Sequence, residues 1–263
     1  MSEGVVSKVL AESLLSLYPV FVKNIGVSLN LQMWSRFFTY VVLAGFFMDF
    51  EFVKKKLFSK DGLLLAAVTL VHIYTSYVGF LKLPSGPAYT MFYIYPVLIL
   101  ILSGFSFPPY ALLAAAGVWF LASTSELDQF AYEGVFMIML AALTEALIYF
   151  IIKKIKTTNN WDHVFLSYFW GAVAMTFYVL KTQEPLTPAL TASVGVNGVI
   201  GLGGHVLRFF SMSHLDVYWY ALLSNVGMVM SYVYGYAFNG EVVGFAQVFG
   251  TSCIGLACAL ARR

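Results

Sequence analysis

Ten apolar runs, separated by short polar or charged punctuation, fill almost all of this 263-residue chain. They cover residues 5–24, 31–50, 62–82, 87–104, 109–123, 132–153, 161–181, 187–209, 215–238 and 242–261. A helix needs about 20 mainly apolar residues to cross a bilayer core, with about 17 near the lower limit. Only the fifth run falls short of that. Too little chain lies outside the runs for a soluble domain. In hydrocarbon each backbone polar group must be satisfied within its own segment, so the runs read as helices. Composition agrees: 60% of residues are apolar and 11% charged, against about 25% charged in soluble domains. With a net charge of only +2, an ordinary cytosolic enzyme, a disordered chain and a nucleic-acid binder are all excluded. The expectation is an all-α integral membrane protein of ten transmembrane helices. The start, Met1-Ser-Glu-Gly, carries Glu3 and no basic region, so no signal peptide is expected. Cys253 and Cys258 share one apolar run and point in different directions on a helix, so neither a disulfide nor a metal site is expected.

Lys and Arg near helix ends favour the cytoplasmic side. With both termini inside, the inner segments hold Lys8, Lys54, Lys55, Lys56, Lys60, Lys153, Lys154, Lys156, Arg208, Arg262 and Arg263, and the outer ones only Lys23, Lys82 and Lys181. Eleven against three sets the orientation, and an odd number of helices would spoil the alternation. Both termini are expected in the cytoplasm, with the plasma membrane favoured over an organelle.

A shift of 129 residues lays 75–96 over 204–225 without a gap, matching Phe80 to Phe209 and Tyr89 to Tyr218. The stripe His72, Thr75, Ser76, Gly79 then falls on Gly201, Gly204, His205, Arg208. Identities are few, so the repeat lies in hydropathy. Residues 1–130 and 131–263 form two five-helix halves of one structural unit. Five being odd, the second half enters the membrane from the opposite face. Such inverted halves can exchange conformations and move a central site from one side to the other.

Several local motifs carry a family resemblance. A proline lies partway along the first run (Leu17-Tyr-Pro-Val-Phe), and an arginine near the start of the second (Trp34-Ser-Arg-Phe-Phe). The fourth contains Tyr93-Ile-Tyr-Pro-Val, and Tyr234-Gly-Tyr-Ala-Phe-Asn-Gly-Glu-Val-Val-Gly-Phe joins the ninth to the tenth, followed by Gly250 and Gly255. In order and spacing these resemble the drug/metabolite transporter superfamily, in its ten-helix branch of two five-helix inverted repeats. Asn225 stands where the second repeat would often have proline, and the first-half turn Gly104-Phe-Ser-Phe-Pro-Pro lacks the glutamate that Glu241 supplies. The resemblance implies transport of small organic solutes: amino acids, amines, quaternary ammonium compounds, nucleotide-sugars or sugar phosphates.

Carboxylates at mid-membrane are functional candidates by default. Glu12 and Glu145 occupy related places in the first and sixth runs. They would bind a cation or carry a coupling proton, or else hold helices together. His72 and His205 lie on the related stripes and would shuttle protons or bridge helices. Arg36 would meet a solute carboxylate or phosphate, or serve as a structural partner of a glutamate. Tyr89, Tyr93, Tyr218, Asn225 and Tyr232 line one face of the fourth and ninth runs, Tyr18 and Trp34 flank the outer entrance, and Asn197 is a polar residue amid the glycines of the eighth. Aromatic faces beside carboxylates can hold ammonium groups.

A secondary transporter working by alternating access follows, rather than an enzyme. Its central site would lie among helices 1, 3, 4, 6, 8 and 9. No ATP-binding motif occurs, so a proton or counter-solute gradient would drive it. The favoured solute is a cationic or zwitterionic metabolite: an amine, a quaternary ammonium compound or an amino acid. An antiporter of an anionic metabolite, a nucleotide-sugar or sugar phosphate, wants more inward-facing basic residues than Arg36, with Lys23, Lys82 and Arg208 placed at the rims. A multispan lipid enzyme would draw on the neighbours Asp162 and His163, or His214 and Asp216. No cofactor, metal or nucleic acid is expected; membrane lipid surrounds the chain, and a second copy is a candidate partner.

Overall fold

The computed structural model describes residues 3–104, 109–123, 129–157, 159–183 and 187–260. Among these all regular structure is helical. The elements are α1 (Glu3–Leu15), α2 (Tyr18–Asn24), α3 (Leu29–Gly45), α4 (Phe50–Lys56), α5 (Lys60–Lys82), α6 (Ser85–Phe92) and α7 (Tyr95–Leu102). There follow α8 (Pro109–Ser123), α9 (Gln129–Lys154), α10 (Asn160–Thr182), α11 (Pro188–Val196), a π-helical turn (Asn197–Gly201), α12 (Leu202–His214), α13 (Val217–Asn239) and α14 (Phe245–Leu260). Every apolar run falls on a helix or on helices that abut. Six continuous stretches are long and apolar enough to cross a membrane: Glu3–Asn24, Lys60–Lys82, Ser85–Leu102, Tyr132–Lys154, Asn160–Thr182 and Pro188–His214. Tyr110–Ala122 and Phe245–Leu260 are shorter apolar helices.

Side-chain caps set several boundaries by satisfying the free N–H groups of a first turn. Ser28 accepts from Leu31, Asp49 from Phe52, Ser59 from Gly62 and Asp216 from Trp219. The Asp49 cap divides the second run. Its main helix stops at Gly45, and the chain turns into the short α4, whose last turn carries Lys54, Lys55 and Lys56. That helix has 17 residues where the hydropathy reading gives a span of 31–50.

Polarity is inverted relative to a soluble protein. Lys8, Glu12, Arg36, Glu145 and Arg208 are buried, while Phe46, Phe58, Trp119, Phe136, Phe177 and Phe245 are exposed. A soluble monomer rarely exposes so much contiguous apolar surface, and a lipid-facing one must. The chain is a multi-pass integral membrane protein. Two of the basic residues assigned to inner segments require correction. Lys8 and Arg208 are 0% and 3% exposed, because carboxylates inside the bundle draw them in; nine inner basic residues then stand against three. Arg262, Arg263 and residues 105–108 of the first-half turn lie outside the described residues.

The helices pair along their lengths: α5 with α9, α1 with α12, α3 with α10 and α8 with α14. In the α3–α10 pair, a Cβ added at Gly171 would lie 2.2 Å from the Phe37 ring. Gly171→Ala should therefore lower stability by about 1–3 kcal/mol through overpacking, read as a lower thermal unfolding midpoint in detergent. Gly203→Ala, with open space around it, should leave the midpoint within error or slightly higher.

Candidate functional site

Two helices break where proline enters. Proline lacks an N–H and clashes with the carbonyl four residues back. Pro19 and Pro96 occupy the first turns of α2 and α7, so α1 stops before Leu17 and α6 stops before Ile94. Between α11 and α12 the backbone widens instead: Leu202 N–H bonds the Asn197 carbonyl five residues back. Such irregular backbone within a membrane span is tolerated beside protein or a cavity, and all three interruptions carry side chains into one buried region.

Glu12, on α1, is the hub of an ionic network. Lys8, one turn earlier, donates to it, as does Tyr93 from the α6–α7 break. The Tyr95 hydroxyl lies 3.2 Å from Glu12 and 3.0 Å from Ser224 on α13. Arg208 approaches Glu12 with Nη2 at 3.4 Å, and its Nη1 donates to Glu145 on α9 at 2.5 Å. The other oxygen of Glu145 lies 3.4 Å from His72 Nε2 on α5. Lys8 Nζ also sits 3.5 Å from the centre of the Tyr220 ring. Two acids thus meet two bases, drawn from α1, α9 and α12. Buried charge is sustainable when paired and hydrogen-bonded in this way.

Arg36 on α3 anchors a second cluster. Its Nη2 donates to the Tyr168 hydroxyl at 3.3 Å and to His205 Nε2 at 3.1 Å. A guanidinium only donates, so Nε2 accepts and His205 Nδ1 carries the proton given to the Gly201 carbonyl at 2.9 Å. Rings of Tyr18, Tyr40, Tyr77 and Tyr168 surround the guanidinium at 4.4–5.9 Å. Tyr18 donates to Asn197 at 2.7 Å, and Asn197 donates to Ser35 at 3.0 Å. Gly201 makes room for this cluster, since a Cβ there would fall 1.8 Å from the Tyr18 hydroxyl and 2.2 Å from that of Tyr40.

A cavity of about 30 Å³ separates the clusters, lined by Arg36, Arg208, His72, His205, Ser76 and Tyr89 together with apolar side chains. A smaller one, about 10 Å³, adjoins it beside Glu145, Ser167 and Tyr168. Together they hold a few water molecules at most. Both ends of the bundle are tied. At one, Asn24 bonds Asn239 at 2.8 Å, and Glu241 accepts from the Ser85 and Gly86 N–H groups at 2.7 and 2.9 Å, with Lys23 at 3.7 Å. Burial pushes the Glu241 carboxyl up, but these amide donors outweigh it and hold the group below its ordinary value. At the other end, Lys154 pairs with Asp61 at 2.7 Å, and Asp162 accepts from the Asp49 N–H at 2.7 Å.

Of the residues singled out by sequence, Glu12, Glu145, His72, His205, Arg36, Tyr18, Tyr89, Tyr93 and Asn197 come together here. Four do not. Trp34 bonds Thr176 at 3.0 Å and stacks on Phe38. Tyr218 bonds the Ala259 carbonyl at 3.2 Å, Asn225 its own helix at Leu222 O, and Tyr232 bonds Thr251 at 3.1 Å. Helical phase explains this: these positions on α13 face α14 or the α6 end, while Tyr220 and Ser224 face the network. Arg36 pairs with no glutamate among the described residues. Lys8, Arg208, Tyr95, Tyr40, Tyr77 and Tyr168 were missed by sequence reasoning. Signals for two of them existed, in the Lys8–Glu12 spacing of one turn and in the membership of Arg208 in the His205 stripe.

Residues 132–263, half of the chain, match the sequence model of the EamA-like transporter family. No curated protein matches the sequence. One solved crystal structure of a protein, 14% identical, covers 99% of this chain and 96% of its own, with a TM-score of 0.69. That identity speaks for a shared fold alone.

The Arg208–Glu145 pair should behave as a coupled unit. Glu145→Leu or Arg208→Leu alone strands a buried charge and should cost about 3–5 kcal/mol. The double variant leaves Lys8 and Glu12 balanced and should recover much of that loss. Thermal unfolding of the four proteins in detergent measures the coupling; additive losses would mean that the two side chains do not depend on each other.

Proposed function

Because the chain belongs to the EamA-like transporter family, we propose that it is a secondary transporter moving a small polar organic solute by alternating access. The observation that carries the proposal is the narrow, water-sized cavity between two ionic clusters, at the meeting of interrupted helices. A solute enters such a site only when one end of the bundle opens, and discontinuous helices are where transporters place their sites.

In this reading ten helices span the bilayer as two inverted five-helix repeats, residues 1–130 and 131–263, with both termini in the cytoplasm. The packing supports it. Exchanging the halves turns the α5–α9 pairing into the α12–α1 pairing and leaves α3–α10 and α8–α14 as they are. Residues related by the 129-residue shift should meet wherever they approach the pseudo-twofold axis. Tyr95 bonds Ser224, and the Phe120 and Phe249 rings lie 4.7 Å apart; both pairs are separated by that interval. The nine remaining inner basic residues support the orientation.

The pairs that motivated a lipid enzyme serve local structure. Asp162 accepts from Thr157 at 2.6 Å, and the His214 ring stacks on Phe210. Those positions favour transport over catalysis.

Alternating access can be tested with a cavity cysteine. In a Cys253→Ala/Cys258→Ala background, Ser76→Cys should react with a membrane-impermeant thiol reagent in right-side-out and in inverted vesicles. Cross-linking Asn24→Cys to Asn239→Cys with a bifunctional maleimide should then abolish labelling from that side and raise it from the other. Continued labelling from both sides after cross-linking would indicate a channel, and labelling from neither side before it a closed scaffold.

A further inference from the structure

Around the central cavity the buried charges do not balance, the buried Asp162 being held at the end of the bundle by the Asp49 N–H and Thr157. Glu12 and Glu145 are matched by Lys8 and Arg208, but Arg36 is 4% exposed and has no carboxylate within ion-pair distance among the described residues. With histidines counted as neutral, the groups around the cavity hold one positive charge too many. The four tyrosine rings around Arg36 soften its desolvation through their faces but supply no counter-charge. Two donors also go unused: Nε of Arg36 and Nε of Arg208 are buried without hydrogen-bond partners. Both residues line the same cavity. Buried donors left unpaired are costly, and a native structure that keeps two of them at one cavity wall is built to receive an acceptor. The same cavity is also walled by Leu15, Phe80, Tyr89 and Phe92, which no inorganic ion would use.

We propose that the solute is a small organic monoanion, a carboxylate with an aromatic or aliphatic body, whose oxygens meet Arg36 and the adjacent edge of Arg208 while its body lies against Leu15, Phe80 and Phe92. This inference rests on the transporter reading for the solute's passage, though not for its binding. One negative charge neutralises the groups around the cavity; a dianion overshoots, and a cation adds to the excess. The two acids that argue for an amine in the sequence are already occupied by protein cations, so the ammonium of a zwitterion would find no free carboxylate. Arg36 is planar and donates along a fixed edge, which suits the two oxygens of a carboxylate.

The test uses the purified full-length chain in detergent and four probes: phenylacetate, its neutral analogue phenylacetamide, the cation phenethylamine, and chloride added as a salt. Phenylacetate is expected to bind, by calorimetry and by a raised unfolding midpoint, at least tenfold more tightly than the other three. Arg36→Gln should abolish that preference, and Arg36→Lys should retain part of it. Equal or tighter binding of phenethylamine or phenylacetamide, binding of chloride alone, or no binding of phenylacetate would each overturn the proposal. So would unchanged phenylacetate affinity in Arg36→Gln. If that variant does not fold, the wild-type probe series decides the question unaided. Counterflow in proteoliposomes separates the two readings. Arg36-dependent binding of phenylacetate without its movement would remove transport and leave the anion site standing. Movement of phenethylamine independent of Arg36 would remove the anion site and leave transport standing.

Discussion

Arg208 is the side chain on which the site depends. One guanidinium on α12 meets Glu12 of α1 and Glu145 of α9, so three helices of both halves converge on a single group. In a setting without bulk water, such a contact cannot be exchanged for hydration. Helices that leave Arg208 must carry their carboxylates to other partners, and Lys8, Tyr93 and His72 stand ready for that role. The network therefore restricts which rearrangements of the bundle are accessible, since every one must keep each acid in contact with a donor.

Around this constraint the backbone departs from regular helix at three places. Each departure has a local cause, in Pro19, Pro96 or the glycine-containing turn Asn197–Gly201, and each delivers hydroxyl or amide groups to the core. Tyr18, Tyr93, Tyr95 and Asn197 all sit within two residues of an interruption. Ordinary helical phase would have spread these side chains around the bundle. The interruptions concentrate them, and that is how so apolar a chain assembles a polar interior.

The fold was legible because hydropathy acts over whole segments. The apolar runs all fall on helical chain, six stretches of it long enough to span a membrane, and the boundaries shift appreciably where Asp49 caps a new helix and where α12 runs on to His214. The site was legible in part. Glu12, Glu145, His72, His205 and Arg36 declare themselves because ionisable residues are expensive in lipid. Lys8 and Arg208 were misplaced because the rule that sorts basic residues to loops treats every cation near a helix end alike. Burial depends on a partner across the bundle, and the Arg208–Glu145 contact joins residues 63 apart in sequence. Aromatic residues carry still less signal. Tyr218 and Tyr220 are two positions apart on α13, yet one packs toward α14 and the other toward Lys8.

Within the proposed two-repeat architecture, the network breaks the equivalence of the halves. Under the 129-residue shift Arg208 corresponds to Gly79, which leaves so little room that a Cβ there would lie 2.4 Å from Ile138. The bridging cation thus has no counterpart at the related position across the proposed pseudo-twofold axis. If the two halves trade shapes, the conformation open to one face is not the energetic mirror of that open to the other. A transporter working in the proposed way would then spend unequal times facing the two compartments, and its apparent affinity would differ with the side of presentation. The asymmetry is written in a single arginine and the glycine that stands in its place.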